Sequence, residues 1–481
     1  MTELTSRTAT QLIAAYSSRQ LSPVEVTRAT LDRARAIQPA LNAFVRLDEE
    51  AALEQARASE ERWRRGEPTG AVDGVPATVK DILLQKGGPT VKGSWGVDDP
   101  GPWEEDSPAV QRLREQGAVL LGKTTTPEFG WKGVTDSPRH GATGNPYDPT
   151  RTAGGSSGGG AAAVATGAGP LTLGTDGGGS VRIPGSFCGI FALKPTYGRV
   201  PIYPASAFGT LAHVGPMTRT VGDAALLMDV ITRPDPRDWS QLAPPEGSFR
   251  SELDRGVRGL RVAYAPTLFD HPVDPEVARA VRSAVDRLAE AGALVEEADP
   301  GFTDPVEAFH VLWFAGAARV TQSFDEERRA RMDPGLREIV ERGAAYSALD
   351  YLAAMDVRMA LGRQMGLFHQ RYDLLVTPTM PGTAFELGVE VPAGSPYQRW
   401  TGWTPFTYPF NMTQQPAATV PCGVDARGLP IGVQLVAARH GDPLVLRAAQ
   451  SLYEAGVADI PAPARVWGAG AEAGSATPAG S

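Results

Sequence analysis

Residues 154–185 read GGSSGGGAAAVATGAGPLTLGTDGGGSVRIPG. Two serines, Ser156 and Ser180, lie 24 residues apart in glycine-dense segments that are separated by a helix-like run, AAAVATGAG, and a strand-like run, LTLG. A helix that begins just after Ser157 points its free amides and the positive end of its dipole toward Ser156. The glycines at 177–179 offer successive amides without Cβ atoms, so a carbonyl can come close and accept several hydrogen bonds. This stretch therefore predicts an oxyanion hole beside two serines.

Around this stretch, helix patterns alternate with short apolar runs. Ser22-Pro23-Val24-Glu25 is a capping box with Pro at the first helical position, and it predicts a helix start. GVPATVKDILL at 74–84 is apolar and β-branched, and it predicts a buried strand with Lys80 inside it. Pro275 opens a helical pattern that leads into the strand-like ALVEEAD. This alternation indicates an α/β fold.

Composition and charge exclude several classes of protein. The 481 residues carry 46 basic and 55 acidic side chains, a net charge of −9, and no long basic run, so we expect no nucleic-acid partner. The N-terminus lacks the pattern of a signal peptide, and no apolar run has the length of a membrane span, so we expect a cytoplasmic protein without a membrane partner. Cys188 and Cys422 lie far apart without metal-ligand spacing, which predicts reduced thiols and no metal site.

Two short motifs point to other functions, and their context argues against both. Residues 117–124, GAVLLGKT, match the phosphate-loop pattern, but AVLL predicts a strand where a nucleotide-binding loop needs a flexible turn. Residues 154–158, GGSSG, match the nucleophile elbow of α/β-hydrolases, but NPYDPTRTA precedes them instead of a hydrophobic strand. An ATP-binding protein that uses 117–124 stays as an alternative.

The whole stretch, with Arg182 and Pro184 after the second serine, resembles the amidase signature, and the resemblance extends from about residue 8 to 462. It implies a three-layer α/β/α fold in which helices cover a large twisted mixed sheet. It also implies a Ser–Ser–Lys triad that uses neither a metal nor an organic cofactor.

The resemblance assigns a role to each site residue by matching position. Lys80 corresponds to the base, Ser156 to a bridging serine that follows a cis peptide, and Ser180 to the nucleophile. The amides of Gly177, Gly178, Gly179 and Ser180 correspond to the oxyanion hole. One position departs from the commoner family pattern, because residue 177 is Gly where a β-branched residue often stands.

The chemistry of the residues agrees with these roles. A Lys between VPATV and ILL is desolvated, which favours its neutral form and makes it a base near neutral pH. From composition alone, Ser157 could equally be the bridging serine; only the family spacing selects Ser156, and we expect Ser157 to help cap the helix. Asp176 and Arg182 are expected to brace the loop through hydrogen bonds.

The resemblance also suggests how the chain is organised. No internal repeat or linker divides it, so we expect a single domain over 1–467, with a helical part at 1–70, a catalytic core at 74–220 and a helical substrate-side region at 304–372. The low-complexity stretch 468–481 predicts a flexible tail.

The expected activity is hydrolysis of C–N acyl bonds in small-molecule amides through an acyl-enzyme at Ser180, with carbamates and esters as further substrates. The sequence is rich in aromatic residues that could line a pocket for aryl or hydrophobic groups, most densely in QRWTGWTPFTYPFN. These residues are Phe129, Trp131, Tyr203, Phe208, Trp313, Trp400, Trp403, Phe406 and Phe410.

The alternative within the same family is the A subunit of a glutamine-dependent tRNA amidotransferase. Its characteristic basic stretch is missing from 350–372, which disfavours that alternative. Whether the chain forms a homodimer is left open by the sequence, as are its natural substrate and its preference among amides, carbamates and esters.

Overall fold

Short β-branched and apolar runs between glycine turns form the strands of one large sheet. The structure, a computed structural model, describes residues 3–98 and 100–463. The strands are β1 (Phe44–Leu47), β2 (Pro76–Lys80), β3 (Val119–Thr124), β4 (Asp136–Ser137), β5 (Gly141–Ala142), β6 (Leu171–Asp176), β7 (Phe191–Lys194), β8 (His213–Thr218), β9 (Arg261–Tyr264), β10 (Leu294–Glu297), β11 (Leu374–Pro378), β12 (Ala417–Val424) and β13 (Pro430–Ala437).

Eleven of these strands form one mixed sheet in the order β1-β3-β2-β6-β8-β7-β12-β13-β11-β9-β10. Strand β2 runs parallel to both β3 and β6, and β9 runs parallel to both β11 and β10. The strands between these two parallel groups pair antiparallel. Strands β4 and β5 form a separate small ribbon.

Helices lie before, between and after the strands. They are α1 (Glu3–Ser6), α2 (Ala9–Ser17), α3 (Pro23–Leu41), α4 (Glu49–Arg65), α5 (Pro108–Glu115), α6 (Gly158–Thr166), α7 (Arg182–Phe187), α8 (Val221–Ile231), α9 (Pro275–Glu290), α10 (Val306–Val320), α11 (Glu326–Ala330), α12 (Pro334–Ala345), α13 (Ala348–Phe368), α14 (Tyr408–Met412) and α15 (Asp442–Glu454). None of the helices in the described ranges is long and apolar enough to cross a membrane.

The sheet buries both of its faces, because successive side chains of a strand point to opposite sides. In β11, Leu374 and Val376 pack into the core that α8, α9 and α15 cover. The residue between them, Leu375, packs into the core formed with α10, α12 and α13. This arrangement confirms the predicted three-layer α/β/α fold with a mixed central sheet.

Local sequence signals account for many element boundaries. Helix α3 begins at Pro23 with both reciprocal hydrogen bonds of the capping box, as predicted. The hairpin of β12 and β13 turns at Asp425, whose carbonyl accepts a hydrogen bond from the Gly428 amide. The strand predicted over 74–84 is shorter, because the amides of Ile82 and Leu83 turn back to the Lys80 carbonyl at 2.7 and 3.1 Å. Lys80 is therefore the last residue of β2.

The predictions for the cysteines and for the C-terminal tail have different outcomes. Both cysteines are free thiols; Cys188 is fully buried and Cys422 is half-buried. The tail predicted to be flexible, 468–481, lies outside the described residues, and the single-domain assignment stays a prediction.

Candidate active site

The parallel pairing of β2 and β6 brings the predicted residues to one edge of the sheet. Val79 of β2 lies opposite Leu173 of β6, so the carboxyl ends of the two strands are neighbours. Lys80 ends one strand and Asp176 ends the other. Chain segments that leave the carboxyl ends of parallel strands meet at the same edge, where α/β proteins place their ligand sites.

Lys80 is fully buried at this edge and contacts two hydroxyl groups. Its Nζ donates to Ser156 Oγ at 2.7 Å and to Thr175 Oγ1 at 2.8 Å. Burial lowers the pKa of Lys80 well below its ordinary value, and the charge of Asp176 opposes this shift only in part. Burial thus shifts the equilibrium of this amine toward its neutral form, which has a lone pair that can accept a proton.

The two adjacent serines have different partners. Ser156 follows a cis peptide bond from Gly155 and is the serine that contacts Lys80. The Ser157 hydroxyl donates to the Thr175 carbonyl at 3.2 Å and accepts from the Thr175 amide at 3.3 Å. The prediction that Ser157 caps the helix is wrong, since its side chain makes no capping hydrogen bond to α6 and instead ties the helix start to β6.

Ser180 lies in the segment that follows β6, beside the start of α6. Its carbonyl accepts a hydrogen bond from the Ser157 amide at 3.1 Å, which fixes the two serine segments against each other. Ser180 and Ser156 line one cavity. Within the described part of the chain, the Ser180 hydroxyl has no hydrogen-bond partner, so it is available to a ligand in that cavity.

The amides of the glycine run are divided between the protein and the cavity. The Gly179 amide donates to Asp176 Oδ1 at 2.7 Å and is not free to bind an oxyanion. The amides of Gly177, Gly178 and Ser180 make no hydrogen bond to any residue described in the structure. Gly179 is therefore not a donor of the predicted oxyanion hole, because its amide holds the loop in place. The amides of Gly177, Gly178 and Ser180 remain as the predicted donors.

A buried ionic network braces this loop, as predicted. Arg182 donates to both carboxylate oxygens of Asp176 at 3.0 Å, and its third nitrogen donates to the Thr407 carbonyl at 3.0 Å. The Asn411 amide donates to Asp176 Oδ1 at 2.8 Å. Burial alone would raise the pKa of Asp176, but the charge and hydrogen bonds of Arg182 outweigh it, and the pKa lies well below the ordinary value. Asp176 is therefore an anion that orients the loop.

The cavity beside the serines has a volume of about 190 Å³ and a mainly apolar wall. Phe129, Tyr203, Phe208 and Trp313 belong to its lining, as predicted. An apolar cavity of about 150 Å³ can bind benzene, so this one has room for one aromatic ring or a short chain.

The aromatic cluster at 399–411 has another role than the one predicted. Trp400, Trp403, Phe406 and Phe410 are buried and do not line the cavity; Trp131 also lies in this core. Trp403 stacks on Phe187 with ring centroids 6.0 Å apart. The cluster therefore belongs to the core that packs beside the site and is not part of the cavity wall. Much of that wall is supplied by the segment 201–208.

The phosphate-loop-like segment is part of the sheet. Residues 119–124 form β3, and Lys123 is fully buried between β2 and β1. Its Nζ donates to the Leu83 carbonyl and to Thr90 Oγ1, and burial lowers the pKa of Lys123 to about 8. A nucleotide phosphate has no access to this ammonium group, so the segment does not form a phosphate loop.

Sequence reasoning missed Thr175 and Asn411. Thr175 is a polar residue just before the end of a buried strand, a signal that could have marked it. Asn411 lies 231 positions after Ser180, and only the folded chain brings it to Asp176.

Comparisons with known proteins identify the family of the chain. A family model described as Amidase matches residues 25–446. An acylamidase from Rhodococcus erythropolis is 38% identical over 448 residues, which cover 92% of this chain and 94% of the relative. The A subunit of a glutamyl-tRNA(Gln) amidotransferase from Chloroflexus aggregans is 37% identical over 472 residues, covering 93% of this chain and 96% of the relative.

The solved structure of a bacterial aryl acylamidase from the amidase signature family superposes with a TM-score of 0.88 at 32% identity, covering 95% of this chain and 98% of that one. The chain belongs to the amidase signature family.

Proposed function

We propose that the protein is an amide hydrolase that cleaves aryl and other hydrophobic amides through an acyl-enzyme at Ser180. The observation that carries this proposal is the 2.7 Å hydrogen bond between Lys80 Nζ and Ser156 Oγ in a buried site whose cavity Ser180 also lines. Likeness to an acylamidase and to an aryl acylamidase supports the same activity.

The reaction begins with proton transfer along the three residues. Neutral Lys80 accepts the proton of Ser156, which accepts the proton of Ser180 as Ser180 Oγ attacks the acyl carbon. The carbonyl π electrons move to oxygen, and the amides of Gly177, Gly178 and Ser180 hold the resulting oxyanion.

The proton then returns from Lys80 through Ser156 to the amine nitrogen. The C–N bond breaks, the amine leaves, and the acyl group stays on Ser180 as an ester. Water attacks the acyl carbon of this ester and passes a proton to the same relay; the bond to Ser180 Oγ breaks, the relay returns a proton to Ser180 Oγ, and the carboxylic acid is released. The same sequence of bonds serves esters, where the leaving atom is oxygen, and carbamates, where the acyl carbon also keeps a second nitrogen or oxygen substituent.

The experiment that tests this proposal is covalent labelling with a fluorophosphonate, followed by peptide mapping. We expect the adduct on Ser180, no labelling of Ser180→Ala, and slower labelling of Ser156→Ala with the adduct still on Ser180. An adduct on Ser156 or Ser157 in the wild-type protein would contradict the proposed roles.

A second candidate function is that of the A subunit in a tRNA amidotransferase, which the similarity to the Chloroflexus aggregans protein favours. Its substrate, glutamine, carries an ammonium group and a carboxylate, and no Asp or Glu is among the described lining residues to pair with the ammonium group. Release of ammonia from glutamine, together with co-purification of a second protein chain, would identify this function.

A further inference from the structure

The cavity beside Ser180 contains one lysine that the proposed reaction does not use. Lys92 is half-buried in the wall, among mainly apolar residues. The lining also contains Tyr203 and His213; burial lowers the pKa of His213 well below its ordinary value, so that it is neutral. No Asp or Glu is among the described lining residues, and Lys92 is the lysine of the lining; burial lowers its pKa, and the charge of Asp81 opposes that shift.

The backbone holds Lys92 in a fixed position. Asp81, next to Lys80, accepts hydrogen bonds from the amides of Val91 and Gly93 at 3.3 Å each. The Lys92 carbonyl accepts from the Phe129 amide at 2.8 Å. Lys92 itself has a φ of 56°, a left-handed conformation that is uncommon outside glycine and that clusters at ligand sites.

The ammonium group of Lys92 lacks the partners that other buried lysines have. The side chains of Lys80, Lys123, Lys132 and Lys194 each donate to an oxygen of the protein. The side chain of Lys92 makes no hydrogen bond or ion pair with the residues that the structure describes. A carboxylate in the cavity would give this side chain a charged hydrogen-bond partner, which the nearby charge of Asp81 does not provide.

From this arrangement we infer that Lys92 binds a carboxylate at the end of the substrate remote from the scissile amide. The inference deepens the proposed function and rests on it: the preferred substrates are amides whose aryl or short apolar group ends in a carboxylate. The apolar wall takes the ring or chain, and Lys92 forms the charged hydrogen bond at its end.

Two pairs of isosteric substrates test this inference, because either side of the amide could occupy the cavity. One pair is 4-acetamidobenzoate and 4-isopropylacetanilide; the other is succinanilate and 4-methylpentananilide. In one of the two pairs, we expect the compound that carries the carboxylate to have a kcat/KM about tenfold to a hundredfold above that of its isostere, mainly because its KM is lower. In Lys92→Met that ratio should fall to about one, whereas Lys86→Met, an exposed lysine in the same segment, should keep it.

The same four compounds are also tested for slowing fluorophosphonate labelling of the wild-type protein, so that binding is measured even where hydrolysis is slow. Labelling of Ser180 without any carboxylate preference, or a preference that survives in Lys92→Met, overturns this inference and leaves the proposed function standing. Absence of labelling at Ser180 overturns the proposed function and the inference with it.

A second, independent observation concerns the outer face of α13. The inner face of this helix is buried through Ala354, Arg358, Leu361 and Met365. The opposite face exposes large apolar side chains, with Leu352 58%, Met359 61% and Leu367 52% exposed. Exposed apolar side chains in such a row are typical of an interaction surface.

This outer face is complementary to itself in the antiparallel direction. Its residues recur at heptad spacing: Leu352, Ala353, Asp356, Met359, Ala360, Arg363, Gly366 and Leu367. If two copies of α13 cross antiparallel about a point between residues 359 and 360, Leu352 meets Leu367 and Asp356 meets Arg363 of the other copy. Ala353 meets Gly366, and these small residues allow close approach.

The charges on this face are free for such a contact. Neither Asp356 nor Arg363 makes a hydrogen bond or ion pair with a residue that the structure describes. We propose that this face binds a second copy of the chain in a two-fold symmetric dimer. The symmetry makes the ion pair between Asp356 of one copy and Arg363 of the other form twice.

Sedimentation equilibrium of the full chain tests the dimer through charge reversal. Asp356→Arg and Arg363→Asp alone place like charges together and should each weaken the dimer about tenfold or more. The double variant restores both pairs and should restore the dimer, while Arg57→Asp, an exposed charge on α4, should leave it unchanged. A monomer, a dimer indifferent to these changes, or a monomer that binds lipid vesicles through this face would each overturn the proposal.

Discussion

At the scale of single residues, the proposed reaction requires Lys80 to be an uncharged amine. Lys80 has two hydroxyl partners, Ser156 and Thr175, and no carboxylate within ion-pair distance among the described residues. Lys132, by contrast, contacts the carboxylates of Asp136 and Asp333, the latter at 2.8 Å, and these charges outweigh burial and raise its pKa. Burial lowers the pKa of Lys80 because no ion pair compensates for the loss of water.

We therefore expect kcat/KM to increase with pH as Lys80 loses its proton, and this increase to lie well below pH 10.5, the ordinary value for a lysine. Lys80→Met should lower kcat/KM by about 10²- to 10⁴-fold and abolish that ionisation. Steady-state kinetics over a range of pH measures both effects. Lys86→Met serves as the control, and near-normal turnover of Lys80→Met would mean that another group is the base.

At the scale of elements, the loop between β6 and α7 is shaped by the helix that packs on it. A Cβ atom at Gly177 would lie 2.7 Å from the Trp313 ring of α10. The space that a β-branched residue occupies in the commoner family pattern is thus filled here by an indole. Trp313 is held in place by a hydrogen bond from its Nε1 to the Trp131 carbonyl at 3.0 Å and by stacking on Phe208.

Gly177→Ala should lower kcat/KM by up to about 10²-fold, because the ring forces the oxyanion loop out of position. Adding Trp313→Leu should recover most of the loss by making room for the new methyl group. Gly222→Ala on α8, where a Cβ meets nothing within 4 Å, is the matched control. If the double variant is no better than Gly177→Ala, steric displacement by Trp313 is not the cause.

The buried pair of Asp176 and Arg182 joins β6 to α7 and should contribute to folding stability. Asp176→Asn leaves Arg182 without its counter-ion and should lower the free energy of unfolding by about 3–5 kcal/mol. Asp286→Asn removes an exposed ion pair with Arg282 and should cost at most about 1 kcal/mol. Urea unfolding followed by circular dichroism measures the difference, and equal losses in the two variants would contradict the prediction.

The same pair also determines in which direction the free energy of unfolding changes at acidic pH. The pKa of Asp176 is lower in the folded protein than in the unfolded chain, so its contribution is present above about pH 4. That contribution is lost as the pH falls through the lower folded-state value.

At the scale of the whole molecule, the proposed function predicts that the cavity between the sheet edge and the helices on one side determines which substrates bind. Its wall is mainly apolar, and its volume of about 190 Å³ suits one ring or short chain. Anilides and other aryl amides should therefore have a higher kcat/KM than glutamine, as a product-release assay over matched amides would measure. A kcat/KM for glutamine above that of every anilide tested would reverse this expectation.

The amino-acid sequence alone was sufficient for the α/β class, for many helix starts and for the two serine segments. These features depend on local signals: capping boxes, apolar periodicity and glycine runs act over a few residues, and a resemblance across the chain relates them to a known fold. By composition, however, Ser156 and Ser157 were equivalent candidates for the bridging serine, because the local sequence does not show in which direction a serine hydroxyl points.

Only the tertiary structure decided which of these residues lie at the cavity and which hold the site in place through packing and hydrogen bonds. The aromatic cluster at 399–411 lies behind the site, Gly179 gives its amide to Asp176, and Lys92 enters the cavity wall. Each of these outcomes depends on contacts between segments far apart in the chain, such as Asn411 with Asp176. Such contacts form only when the sheet edge and the helices pack together, and no local pattern encodes them.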